Sequence, residues 1–324
     1  MNKKDRIMAA IAGEPVDTVP MSFWMPVAES EGTPEEAADK AYQFSNVWDL
    51  DLTITVNGSG YSAEDYVAPD FEQNGGVRYI KRPEDWMKIG ESSVNGGALL
   101  REQESLKLLL EKEAGGRPVV FRVLSPLATA SLLAVHLWED VRRGGGNMVK
   151  EALKAITETT CALVQRVIEL GADGIFFEAP LADYEIASEA FYREYGAPYD
   201  MAVLSASQGW CNIVRGGGTN CMFSLLRKYP AQIFTWDAAQ SLPTLEEVQD
   251  LTSQCVMAGL SRRHLEFDQW NYAEYDIYRT LKETKGRRLI LSAGAAVQPH
   301  PGMAEAFLKS KREIEEKLRI KNAE

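Results

Sequence analysis

The stretch Asn212-Ile213-Val214-Arg215-Gly216-Gly217-Gly218-Thr219-Asn220 decides how the rest of the chain is read. A short apolar run enters it, one arginine stands where the run ends, and three glycines follow. The pattern predicts a buried strand whose C-terminal end opens into a loop with almost no side chains. Glycine there permits positive φ and lets the backbone approach a ligand closely. In a parallel α/β protein, ligands bind at the C-terminal ends of the strands. The alternative is a glycine-rich surface turn after a core strand, with Arg215 in a structural ion pair to Glu178 or Asp237.

Working outward, short apolar β-branched runs predict further strands over 19–24, 49–56, 118–124, 175–178, 233–237, 256–260 and 288–294. Helical patterns fall over 3–12, 98–113, 128–138, 147–170, 188–195, 198–207, 221–228, 244–252, 272–284 and 302–318. Gly13 stops the first helix, and Thr33-Pro34-Glu35-Glu36 starts another with an N-cap, a proline at N1 and two acids in its first turn. Residues 62–97 are polar and irregular, the pattern of a lid or site-covering segment. Eight strands alternating with helices predict a parallel sheet, and eight such units predict a single (β/α)8 TIM barrel over 1–324 with an N-terminal helical extension. A doubly wound open sheet is the runner-up, but no GxGxxG follows the first strand.

Composition narrows the partners. With 35 Lys and Arg against 47 Asp and Glu the formal charge is 35 − 47 = −12, which argues against a nucleic-acid or anionic-membrane surface. A few arginines can still make a local pocket for an anionic small ligand. Cys161, Cys211, Cys221 and Cys255 form no CxxC pair, no run approaches a membrane span, and no apolar segment follows the charged N-terminus. A cytoplasmic setting is the expectation.

Strand-end position selects the site candidates. Arg215 offers a fixed cation for a carboxylate or phosphate, with Gly216 and Gly217 giving backbone access. Glu178 and Asp237 both end predicted strands and would act as general acid and base if burial separates their pKa values. His300, between two prolines after the last strand, is the histidine best placed for proton transfer. Arg262 and Arg263 would add positive potential at the rim, and Asn57 and Tyr61 belong to a glycine-rich loop after the second strand.

With these segments laid out, the chain resembles the uroporphyrinogen decarboxylase superfamily over nearly its whole length. The similar pieces are 12–20, with Gly13-Glu14-Pro15-Val16-Asp17, then Asp49-Leu50-Asp51-Leu52 and Asn57-Gly58, and Ser125-Pro126-Leu127-Ala128-Thr129-Ala130. They continue with Gly171-Ala172-Asp173-Gly174-Ile175, Ser188-Glu189-Ala190-Phe191, Ala197-Pro198-Tyr199, Trp236-Asp237 and the 294–301 region. The resemblance implies a (β/α)8 barrel with its cleft at the C-terminal strand ends, and it places Asp51 in the cleft region facing a polar substrate group. It implies two chemistries. True decarboxylases strip carboxylates from a tetrapyrrole, using an arginine-rich N-terminal loop. The corrinoid branch passes a methyl group to a thiol or similar acceptor, using zinc held by His-x-Cys and a later cysteine.

Both signatures are altered here. The loop after the first strand reads Met25-Pro26-Val27-Ala28-Glu29-Ser30-Glu31-Gly32, without the arginines that would fork onto carboxylates. Where the methyltransferases carry His-x-Cys-Gly, this chain has Arg215-Gly216-Gly217-Gly218, and where they carry the last cysteine it has Gly294 or Ala295. A guanidinium and a glycine cannot replace imidazole and thiolate, so no metal site is expected and zinc least of all. The reading leans to corrinoid-dependent methyl transfer, with the corrinoid as substrate or carried by a partner corrinoid protein and with homodimerisation open. Uroporphyrinogen-type decarboxylation and a non-catalytic tetrapyrrole- or corrinoid-binding role are the alternatives.

Overall fold

Seven short strands run parallel in strict sequence order: β1 (Thr53–Ile54), β2 (Val119–Leu124), β3 (Gly174–Ala179), β4 (Ile213–Gly216), β5 (Ile233–Thr235), β6 (Cys255–Gly259) and β7 (Leu289–Ser292). The computed structural model describes residues 1–26, 32–58, 60–66, 80–134, 136–298 and 301–321. The expected strand over 19–24 is reduced to a single parallel bridge from Met21 to Leu291. Its backbone is nevertheless bonded on both sides: Ser22 N donates to Leu291 O at 3.1 Å, and Asp51 N donates to Met21 O at 2.8 Å. The segment therefore lies between β7 and the entry to β1, and the sheet is TIM-barrel-like.

The helices form where their local signals place them. Asn2 caps Lys3–Ala12, which ends at Gly13 with φ 74°. Thr33 and Glu36 make a reciprocal capping box on Pro34–Val47. Three expectations shift. The 221–228 helix contracts to Phe223–Leu226, a short helix Arg262–Glu266 was not foreseen, and β1 is two residues long where eight were expected. Asp49 sits at φ 46° and Asp51 is drawn to a side-chain partner, so the ladder cannot begin before Thr53.

Two apolar layers result. One lies between the strands and the surrounding helices. The other lies within the curl of the sheet, where Trp24, Ile54, Val120, Phe176, Ile213, Ile233, Met257 and Ile290 belong to a single buried cluster. Trp24 and Phe176 pack at 4.8 Å between ring centroids, and burying a side chain of this size is worth roughly 2–3 kcal/mol. Within the 62–97 segment, 67–79 lies outside the described residues. The rest is pinned to the body: Trp86 is fully buried and its Nε1 donates to Asp140 at 2.9 Å, while Asp65 accepts from the N–H groups of Ala98 and Leu99. No described helix is long and apolar enough to cross a membrane.

Candidate active site at the C-terminal strand ends

Strand side chains alternate, so the residue two positions after an inward apolar one also faces inward. On five strands that next residue is polar. Val120 is followed by Arg122, Phe176 by Glu178, Ile213 by Arg215, Ile233 by Thr235 and Ile290 by Ser292. The apolar interior thus carries a polar layer on its C-terminal side. Register aligns Glu178 with Arg215 and Arg215 with Thr235 across β3, β4 and β5.

At the centre of this layer Glu178, 4% exposed, is held by two guanidiniums. Arg122 donates from Nε to one carboxylate oxygen, and Arg215 donates to the other at 3.0 Å. A buried carboxylate needs such partners, because desolvation costs several kcal/mol per ion. Two cations around one anion leave the trio with a net positive charge. The Arg215 guanidinium also lies over the Trp24 ring, 5.8 Å from its centroid, and its side chain remains 21% exposed. Among the described residues, Arg215 Nε, Trp24 Nε1 and Ser292 Oγ are buried without a hydrogen-bond partner.

Asp237, two residues beyond Thr235, is half-buried at the rim. It accepts from Ala239 N at 3.1 Å and from the Gln240 amide at 2.7 Å. Burial pushes its carboxyl above the usual range, against those bonds and the charges of Arg215 and Arg262. Arg262 is exposed and paired to Glu266 at 2.8 Å, and Arg263 is exposed beside it. The structure therefore brings Glu178, Arg215, Asp237 and Arg262 to one end of the sheet. Arg122, Thr235, Trp24 and Ser292 escaped the sequence reading. The available signal was a polar residue inside an otherwise apolar strand, as in Val120-Phe121-Arg122-Val123.

The other candidates have different placements. Asp51 is corrected: it lies before β1, at the N-terminal end of the sheet, where it accepts from Arg6 and from Met21 N at 2.8 Å. Asn57 is at the C-terminal end of β1, but its side chain accepts from Thr55 and donates to Glu102, so its hydrogen bonds go to the protein. Tyr61 is buried with its hydroxyl donating to Arg122 O at 2.8 Å. The glycines after Arg215 do permit a close approach, but to the chain itself. A Cβ on Gly216 would meet Cys221 Sγ at 2.2 Å, and one on Gly217 would meet Pro180 Cα at 2.5 Å. His300 lies outside the described residues.

The donor set does not fit zinc. Gly217 occupies the place of the motif cysteine and is filled by Pro180. Gly294, one of two positions for the last ligand, has φ 65°, and its Cβ would fall 1.7 Å from Trp236 O. Ala295, the other, carries only a methyl group. Among the described residues no group of three His, Cys, Asp or Glu side chains could hold a metal. Cys211 and Cys255 sit in the apolar interior, and burial drives both thiols above their usual range. The Cys221 thiol is likewise pushed up to about 12 by burial.

Comparison with known proteins identifies the family and the fold. Residues 2–310 match the profile of uroporphyrinogen decarboxylase (URO-D). Curated relatives include two proteins named methylcobamide:CoM methyltransferase MtbA, from Methanosarcina acetivorans and Methanosarcina mazei. Each is 25% identical over 226 residues, covering 63% of this chain and 66% of the relative. Among solved structures, a methyltransferase from Methanosarcina mazei superposes with a TM-score of 0.78 at 17% identity, covering 97% of this chain and 99% of its own. A B12-independent methionine synthase from Shewanella sp. W3-18-1 reaches a TM-score of 0.59 at 12% identity, covering 94% and 98%. A profile match over residues 2–310, nearly the whole chain, leaves one assignment: the chain belongs to the uroporphyrinogen decarboxylase (URO-D) family.

Proposed function

We propose that this chain catalyses corrinoid-dependent methyl transfer at the C-terminal ends of its strands, without a zinc site. The observation that carries the reading is the family membership together with curated relatives named as methylcobamide:CoM methyltransferases. The methylated corrinoid is a substrate, free or presented by a partner corrinoid protein. The methyl group passes to a nucleophile X–H on a small acceptor, which must shed its proton as the new bond forms, while the corrinoid leaves with the electron pair of the broken cobalt–carbon bond.

A zinc enzyme would activate such a nucleophile by coordination. Here the motif positions carry Arg215, Gly217 and Gly294 or Ala295, none with a zinc-ligand atom, so activation falls to a side chain. Asp237 suits the role: its carboxyl is half-buried, is raised by that burial and stands at the rim. Arg215 fixes the acceptor by charge, and Arg122 with Glu178 fixes Arg215.

The test is a visible-absorption assay with methylcobalamin and a panel of thiol, amine and hydroxyl acceptors. Demethylation of the corrinoid by at least one acceptor is expected, with Asp237→Asn lowering kcat by roughly 10²–10⁴-fold and flattening its pH profile. No demethylation with any acceptor, and no saturable spectral shift with the corrinoid alone or on a partner protein, would overturn the reading.

A further inference from the structure

The polar layer contains more donors than the protein uses. Arg215 Nε lies on β4, Trp24 Nε1 on the segment that bridges β7, and Ser292 Oγ on β7 itself; the Arg215 guanidinium reaches across the interior to the Trp24 ring. Trp24 is 2% exposed and Ser292 fully buried, so neither can be satisfied at the surface. A buried unpaired donor costs about 1–3 kcal/mol, and three in one layer are not expected of a surface built only for stability.

Their chemistry is specific. Two of the three can only donate, and the third is a hydroxyl. The guanidiniums around Glu178 leave one net positive charge, because Arg122 is committed to Glu178 and to Met25 O. That charge suits a monoanion better than a phosphate dianion. Beside these donors the Trp24 and Phe176 rings pack as a tilted pair, an apolar surface suited to the body of a small organic ligand. Arg215 is the member of the trio that solvent reaches. At the outer end Asp237 is an acceptor, suited to a ligand's donor.

We infer that Arg215, Trp24 and Ser292 form a carboxylate subsite, and that the acceptor is a small carboxylic acid whose far end carries the nucleophilic X–H facing Asp237. The acceptor assignment rests on the proposed methyl transfer; the carboxylate subsite does not. The anion would take the Arg215 Nε edge, the Trp24 indole N–H and the Ser292 hydroxyl together, which makes it a planar, charge-assisted contact. This geometry discriminates against amides and esters of the same shape, because they present no charge to Arg215.

The experiment is a ¹⁵N NMR titration that contains no corrinoid. The Trp24 indole N–H resonance is identified by its loss in Trp24→Phe. The protein is then titrated with acetate, propionate and benzoate, against acetamide, benzamide and inorganic phosphate. The expected result is a saturable shift of the Trp24 indole with the carboxylates and none with the amides. Calorimetry should show binding weakened roughly three- to tenfold in Ser292→Ala and Trp24→Phe and at least about tenfold in Arg215→Gln. An unshifted Trp24 resonance overturns the subsite. An equal response to amides, or a preference for phosphate, overturns the carboxylate class. If Arg215→Gln does not fold, the carboxylate–amide comparison on the unaltered protein still decides. A positive titration beside a silent corrinoid assay would leave the subsite standing and remove the methyl-transfer reading; the reverse pattern would do the opposite.

Discussion

The two ends of the sheet each hold an arginine–carboxylate cluster built on a buried carboxylate, Asp51 at one end and Glu178 at the other, and the clusters are completed differently. At the N-terminal end Arg6 forks onto Asp17 at 2.8 and 2.9 Å, reaches Asp51 with a further nitrogen and Met1 O at 3.2 Å. Asp51 in turn takes the Met21 N–H. The neighbouring Glu315 accepts from Thr18 and Val19 N and pairs with Lys311, tying the final helix to the same end. Every nitrogen of Arg6 has an acceptor. At the C-terminal end the two guanidiniums share one carboxylate, and three donors have no partner among the described residues. The first is a latch that joins the first helix, the bridging segment and the last helix. The second is an arrangement whose remaining valences point to a ligand.

The comparison can be broken most directly at Glu178. Glu178→Gln removes the carboxylate that holds two buried cations, and a loss of about 3–5 kcal/mol is expected in urea unfolding. A loss under about 1 kcal/mol would mean that the cluster is more hydrated than its burial implies.

Next come the two arginines, which should respond in opposite senses. Arg6→Ala strands the buried Asp51 and should cost about 3 kcal/mol. Arg215→Ala leaves Glu178 paired with Arg122 and removes an unsatisfied group, so stability should change by less than about 1 kcal/mol while activity is lost. Equal losses of stability would abolish the distinction between latch and ligand site.

A smaller effect separates the site from a structural carboxyl that lies off it. Asp200 is fully buried and accepts from Tyr192 at 2.7 Å and Tyr229 at 2.9 Å, and burial raises its carboxyl from 3.8 to about 7. Between those values the folded chain keeps a proton that the unfolded chain has released. Its contribution is fully present below the lower value and is lost as pH rises through about 7. The slope is at most about 1.4 kcal/mol per pH step. Asp200→Asn should remove this slope from denaturation midpoints measured over that window and leave the acceptor's Kd unaltered. An unchanged slope would assign the pH dependence to other groups.

The smallest expected effect is at the filled glycines. Restoring the zinc motif with Gly217→Cys and Arg215→His should yield no added zinc by metal analysis, because Pro180 occupies the space a Cβ would need. Stoichiometric zinc would show that the β3–β4 region yields.

Much of the fold is local and therefore legible. The capping box at Thr33, the glycine stop at Gly13 and the apolar runs of β2 to β7 each depend on neighbours within a few residues. The alternation of strands and helices then implied a parallel sheet with its active end at the strand C-termini. Glu178, Arg215 and Asp237 could be named because they end such runs. That arginine and glycine stand at the motif positions, and supply no zinc-ligand atoms there, was also readable.

What the tertiary structure alone decided was pairing across distance. Asp51 was read at the cleft end and lies at the other, because its partner Arg6 is 45 residues away and only closure of the sheet brings them together. Arg122 in an apolar run signals no role until Glu178, 56 residues later, is laid beside it by the β2–β3 register. Trp24 and Ser292 read as ordinary core until the curl of the sheet encloses them and leaves their polar atoms without partners. Residue types and local spacing fix which groups exist and which elements carry them. Which of those groups are satisfied by the protein, and which remain for a ligand, is settled only when distant strands are brought into register, because satisfaction is a property of contacts.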